Sequence, residues 1–152
     1  LPEIQPKKFN RIWVDKVWGK EEIVVNINQY CLKFLHLRRG YQCSLHHHKI
    51  KDETFYISKG SVLMEYAFPN DPEIKEKVMG VGDDIRIKPF MKHRFTGLED
   101  SVIIEISTQH LDGDSYREPG QESRYVGHRL CFCDCPVAKK PNDIFNSVSE
   151  VK

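Results

Sequence analysis

No stretch of this 152-residue chain holds the run of about 18 apolar residues that a membrane-spanning helix needs. The amino terminus, LPEIQPKKFN, lacks the charged, apolar and small-residue sections of a signal peptide, so the chain reads as soluble and cytoplasmic, with no membrane partner. An excess of one charge is also missing. Lys plus Arg number 23 against 22 for Asp plus Glu, a formal net charge of +1, and no basic block stands apart from its acidic neighbours. A nucleic-acid partner therefore has no electrostatic footprint here. No Gly-rich loop or helix start offers backbone N–H donors to a phosphate. Cysteine is scarce and odd in number: five cannot all pair, a domain of this size needs no staples, and the compartment reads as reducing. Cys31 and Cys43 are expected in the core. Cys131, Cys133 and Cys135, in CFCDC, would share one face of a strand. They read as free thiols or as half of a metal site, and nothing nearby completes a four-ligand zinc set.

Helical periodicity is nearly absent as well, apart from a weak pattern in PNDIFNSVSEVK at the carboxyl end. What the chain has instead is strands. EEIVVNI, YCLKFLHL, ETFYIS, SVLMEYAF, DDIRIK and SVIIEIS are short, rich in β-branched and aromatic residues, and separated by turn signals such as KG, FPNDPE, GVGDD and LED. The length permits one domain with a sizeable core. Short strands at this spacing predict a single all-β sandwich or barrel, antiparallel.

The most unusual segment is SLHHHKIKDETFYIS. An internal triplet of histidines is either a solvated surface run or part of a metal site, since a purification tag sits at a terminus. His46 and His48, two apart on a strand, project from one face, and His47 projects from the other. Glu53 opens the next strand, and His93 ends another. Three imidazoles and one carboxylate around an open position suit a catalytic divalent ion: Mn2+ is the first choice, with Zn2+, Fe2+, Co2+ and Ni2+ compatible.

The spacing Gly40-x5-His46-x-His48-x4-Glu53-x6-Gly60 resembles the first signature of the cupin superfamily at every fixed position. Gly82 and His93 resemble the second signature, with departures: Lys88 stands at its proline position, Phe90 at its glycine and Gly97 at its final asparagine. The resemblance covers about residues 23–117, leaving an N-terminal arm 1–22 and a C-terminal extension 118–152. It implies a single-domain cupin, a jelly-roll β-barrel or double-stranded β-helix. It also implies one divalent metal on His46, His48, Glu53 and His93.

Cupins carry many chemistries, so the fold alone does not give the reaction. Here the ligand motif contains Lys51, and His46-x-His48-x2-Lys51-x-Glu53 is similar to the metal motif of the D-lyxose isomerase group. EISTQHLDGDSYR, Glu105 to Arg117, resembles the same group, and VWGKEE resembles the mannose-6-phosphate isomerase-like cupins, though that motif is short. The resemblance implies proton transfer by Glu105, a Lys51 that reaches the sugar, and sugar contacts from Asp114 and Arg117. The partner would be a small-molecule sugar or sugar phosphate, and the assembly a homodimer, for which NRIWVDKVW offers an edge to cover.

Chemistry supplies a separate reason for Glu105. A carboxylate in the otherwise apolar VIIEI needs a partner if it faces the core, and a buried carboxylate beside apolar walls is a general base. The plainer alternatives are that Glu105 faces solvent, that Asp114 and Arg117 pair on a surface turn, and that Lys51 is solvated. Trp13 and Trp18 read as core or dimer-contact residues. Three functions therefore stand: a metal-dependent aldose–ketose isomerase, a metal-dependent cupin oxygenase, and a non-catalytic sugar-binding cupin.

Overall fold

A computed structural model describes residues 7–127 as two β-sheets, with no α-helix among the described residues. CFCDC and PNDIFNSVSEVK lie outside the described residues. The first sheet runs β1 (Ile12–Lys16), β2 (Gly19–Asn26), β3 (Cys31–Leu37), β11 (Ser101–Ser107), β6 (Glu53–Lys59) and β9 (Asp84–Ile87). The second runs β12 (Tyr116–Arg117), β5 (His46–His47), β10 (Lys92–Gly97), β4 (Tyr41–Gln42) and β13 (Arg124–Tyr125). Two more strands complete it: β7 (Ser61–Ala67) pairs with β10 and with β8 (Lys75–Gly80). All these pairings are antiparallel. No helix of the described residues is long and apolar enough to cross a membrane.

Alternation decides which side chains face inward. On β3, Cys31, Lys33, Leu35 and Leu37 are buried, while Leu32, Phe34 and His36 between them are only partly covered. On β11 the buried set is Ser101, Ile103, Glu105 and Ser107. Register then separates an apolar end from a polar end. Ile103 lies opposite both Leu35 and Ile57, whereas Glu105 lies opposite Lys33 and Ser107 opposite Glu53. The apolar end is filled by Trp18, Leu35, Leu37, Ile57, Val62, Met64 and Phe95, among others, with Trp18 packed edge-on against Phe95 at 5.2 Å. The polar end is a cavity.

Residues 12–22, expected within an arm, instead form β1 and the start of β2, paired from Ile12 opposite Ile23 to Lys16 opposite Gly19. The physical reason is Trp18. It sits in the turn between the two strands, only 5 % exposed, and burying that side chain draws the segment onto the sheet. Trp13 stays on the surface beside Lys20 and His36. Cys31 and Cys43 are buried and free, as expected of core cysteines in a chain that needs no staples.

Candidate functional site

His46 stands on β5, opposite His93 of β10 in direct cross-strand register, and His48 follows just beyond β5. The ligand atoms of the three histidines lie within 4.8 Å of one another. Glu53, the first residue of β6, enters from the other sheet: its Oε1 is 2.8 Å from His93 Nε2 and 3.5 Å from His48 Nε2. Three of the four residues expected as metal ligands, His46, His48 and His93, thus cluster, and Glu53 approaches two of them from the other sheet.

Backbone carbonyls fix how the rings face. His46 Nδ1 lies 2.8 Å from the Ser44 carbonyl, His48 Nδ1 2.5 Å from the Asp114 carbonyl, and His93 Nδ1 3.1 Å from the Met91 carbonyl. A carbonyl only accepts, so each Nδ1 donates its proton, which leaves each Nε2 as the atom that could bind a metal. Burial, with His93 beside it, holds the His46 pKa well below the ordinary histidine value, so that ring stays neutral. Glu53 is buried, which alone would favour its protonated form, but Lys51 and His93 outweigh burial and hold its pKa well below the carboxylate range. The result is a carboxylate oxygen facing the Nε2 atom of an imidazole. Both Glu53 Oε1 and His93 Nε2 are buried without a hydrogen-bond partner, although only 2.8 Å separates them. Two buried ligand atoms this close call for a positive charge between them, a proton or a metal, and three imidazoles with one carboxylate are a donor set that fits a divalent ion.

Beside the ligands lies a buried ion triad. Lys51 Nζ is 2.9 Å from Glu53 Oε2 and 2.8 Å from Glu105 Oε2. Burial opposes the ammonium charge, but Glu105 and Glu53 together overcome it and raise the Lys51 pKa above the usual lysine value. Lys51 is therefore a fixed cation between a metal-ligand carboxylate and a second carboxylate. Glu105 faces inward, settling the alternative in which it met solvent; Ser107 Oγ donates to the same Oε2 at 3.4 Å.

His47 points away from the cavity and stacks on Tyr116 at 5.3 Å. Arg117, opposite His46 on β12, lines the cavity. Asp114, read as a sugar contact, is placed elsewhere. Its carboxylate accepts from the backbone N–H groups of Lys49, Ile50 and Lys51, at 2.9–3.2 Å, and it does not line the cavity. Burial pushes the Asp114 pKa up, and the Lys49, Lys51 and Ile50 N–H groups bring it below the usual value. Asp114 therefore shapes the loop that carries His48 and Lys51, and its oxygens are already spent there.

The cavity has a volume of about 230 Å³. Its wall also contains Lys33 and Glu21, whose role was not read from the sequence. Yet a signal exists: in Cys31-x-Lys33-x-Leu35-x-Leu37 a lysine occupies the apolar face of a strand.

No protein-family model matches the chain, and no curated protein matches it by sequence. Solved structures do. Oxalate decarboxylase from Bacillus subtilis matches with a TM-score of 0.67 and 16% identity over 77% of this chain and 33% of that one. The capsular polysaccharide assembling protein CapF from Staphylococcus aureus matches with a TM-score of 0.62 and 18% identity, over 72% of this chain and 32% of its own. The chain has the cupin fold. A third cupin-fold structure, KdgF from Halomonas sp., matches with a TM-score of 0.59 and 20% identity, over 67% of this chain and 91% of its own. This chain spans about a third of the first two proteins, so the likeness carries the cupin jelly roll and not their activities.

Proposed function

We propose that this protein is a metal-dependent aldose–ketose isomerase of the cupin type, acting on a small sugar or sugar phosphate of the lyxose or mannose kind. The observation that supports this reading is the Lys51 bridge. It sets a carboxylate, Glu105, directly beside a candidate metal centre with a fixed ammonium between them. An oxygenase using His46, His48, Glu53 and His93 would have no need of that pair.

Isomerisation moves one proton between adjacent carbons. The contacts of Glu105 with Lys51 and Ser107 both fall on Oε2, leaving Oε1 as the oxygen that takes the proton from C2 of the open-chain aldose. The C–H electron pair forms the enediol double bond, and the carbonyl oxygen takes up the negative charge. One hydroxyl proton passes from O2 to O1, and Glu105 returns its proton to C1, giving the ketose. The Lys51 ammonium, held by two carboxylates, is a preorganised donor for the developing oxygen charge. A divalent ion held by His46, His48, Glu53 and His93 supplies Lewis-acid polarisation of the sugar oxygens. Trp18, Leu35, Phe55 and Phe95 give the cavity an apolar floor against which the carbon skeleton of a sugar can lie.

The test is turnover of free aldoses, ketoses and their phosphates in deuterated water by the protein supplied with Mn2+, Co2+, Fe2+ or Zn2+. Deuterium entering at C1 or C2 is the expected result. Glu105→Gln should keep the metal and lose turnover by a factor of about 10²–10⁴; retained turnover removes Glu105 from the mechanism. His47→Ala should leave metal stoichiometry unchanged, and His46→Ala should empty the site.

A further inference from the structure

His46 and His93 find the carbonyls that fix their rings two positions back in the chain, at Ser44 and Met91. His48 does not. Its Nδ1 donates across 66 positions to the main-chain carbonyl of Asp114, at 2.5 Å. The aim of one candidate ligand therefore depends on where a distant segment is held, and residues 48–52, between β5 and β6, belong to no strand that would hold it.

The Asp114 side chain supplies that hold. The residue is 5 % exposed, and its carboxylate accepts from the backbone N–H groups of Lys49 at 2.9 Å, Ile50 at 3.2 Å and Lys51 at 2.9 Å. Hydrogen bonds to an ionised acceptor are roughly twice as strong as neutral ones. Three successive N–H groups turned to one carboxylate pin the backbone directly after His48, while the Phe90 N–H holds the His48 carbonyl from the other side at 2.6 Å.

The charged groups nearby leave this clamp to the backbone. Lys49 Nζ lies over the Tyr116 ring at 4.1 Å, Lys51 Nζ is bound to Glu53 and Glu105, and Asp112 meets His110 at 3.2 Å. Lys16, Lys33 and Arg117 line the cavity, which Asp114 does not. Main chain and side chain of one residue thus close a ring of contacts: the carbonyl takes the imidazole proton, and the carboxylate fixes the loop that carries the imidazole.

We propose that Asp114 is a positioning residue for the candidate metal centre. By clamping the backbone of residues 49–51 and accepting from Nδ1, it aims His48 Nε2 at the place where His46, His93 and Glu53 converge. Divalent-ion affinity then depends on a carboxylate that is not itself a ligand. The proposal rests on the metal-centre reading and says what holds that centre in shape.

Two substitutions in the full-length protein test it. Asp114→Ala removes both acceptor oxygens; Asp114→Asn keeps the shape and one oxygen but turns an amide donor toward a backbone donor. Calorimetric titration with Mn2+ should give a dissociation constant about 10–100-fold weaker in Asp114→Ala, the usual cost of losing an outer partner of a ligating histidine, and a smaller loss in Asp114→Asn. The visible spectrum of bound Co2+, which reports the ligand set, should move in both variants toward that of His48→Ala. Asp114→Asn decides the question if Asp114→Ala does not fold.

A role in stability alone would lower the melting temperature and leave the Mn2+ dissociation constant and the Co2+ spectrum unmoved, which overturns the proposal. Weaker binding with an unchanged Co2+ spectrum also overturns it, because the carboxylate would then act through its charge at a distance and not through His48. Failure of the wild-type protein to take up Mn2+, Co2+ or Zn2+ overturns the metal-centre reading itself, and the proposal falls with it.

Discussion

Phe90 has a backbone φ of 69°, in the left-handed region where a side chain other than glycine is strained. It occupies the place where the cupin signature has glycine, so the departure noted in the sequence is a departure in chemistry and not in backbone shape. The turn is held because the Phe90 N–H donates to the His48 carbonyl at 2.6 Å, tying it to a candidate metal ligand. Its side chain is 52 % exposed and contributes little to the core. Phe90→Gly should therefore relieve about 1–2 kcal/mol of conformational strain against about 0.5–1 kcal/mol of added unfolded-state entropy. A net gain of about 0.5–1 kcal/mol is expected in urea unfolding, and a loss would mean that the aromatic ring carries packing not evident from its exposure. Asp114 teaches the opposite lesson at the same scale. The sequence motif drew attention to the right residue, but a carboxylate that accepts from three backbone N–H groups cannot also be free for a sugar. Its partners lie 63–65 positions away, and no local pattern records such a meeting.

Strands were legible because their chemistry is local. Period-two alternation in β3 and β11 follows directly from which side chains avoid water, and it put Glu105 on one face with Ile103 and Ser107, the face that the structure turns inward. The ligand spacing was legible for the same reason, since His46 and His48 share a face whatever the rest of the chain does. Pairing between distant elements was not. The attachment of β1 through Trp18, and the meeting of Lys33 with Glu21, depend on which strand becomes a neighbour. β10 adds a further case, being buried on both faces. His93 faces the cavity, while Arg94 on the opposite side donates from Nε and Nη2 to the two oxygens of Glu65 on β7, at 2.5 and 2.6 Å, and from Nη1 to Gln121 at 2.9 Å. Arg94→Met would leave Glu65 buried without this bidentate partner, at a cost of about 3–5 kcal/mol. Pairing it with Glu65→Met should recover most of that loss, because desolvation of both charges is removed together. Chemical denaturation of the two single variants and the double variant reads the coupling; additive losses would show that the pair is not an energetic unit.

At the scale of the molecule, the candidate metal centre lies where the two sheets face each other. His46 and His93 come from one sheet and Glu53 from the other, with His48 at the end of β5. An ion held there would join the sheets as a crosslink, and it would give Glu53 Oε1 and His93 Nε2, 2.8 Å apart and buried without a hydrogen-bond partner, a common ligand. Folded protein binds such an ion and unfolded chain does not assemble its ligands, so the metal should stabilise by mass action. At a free Mn2+ concentration about one hundred times the dissociation constant, the gain is about 2.7 kcal/mol. For a domain of this size that should raise the melting temperature by roughly 10 °C. Calorimetric scans of chelator-treated and metal-supplied protein check the shift, and His46→Ala should abolish it because the remaining ligands no longer surround the ion. A shift that persists in His46→Ala would place the stabilising ion elsewhere, and the crosslink between the sheets would have to be sought at another site.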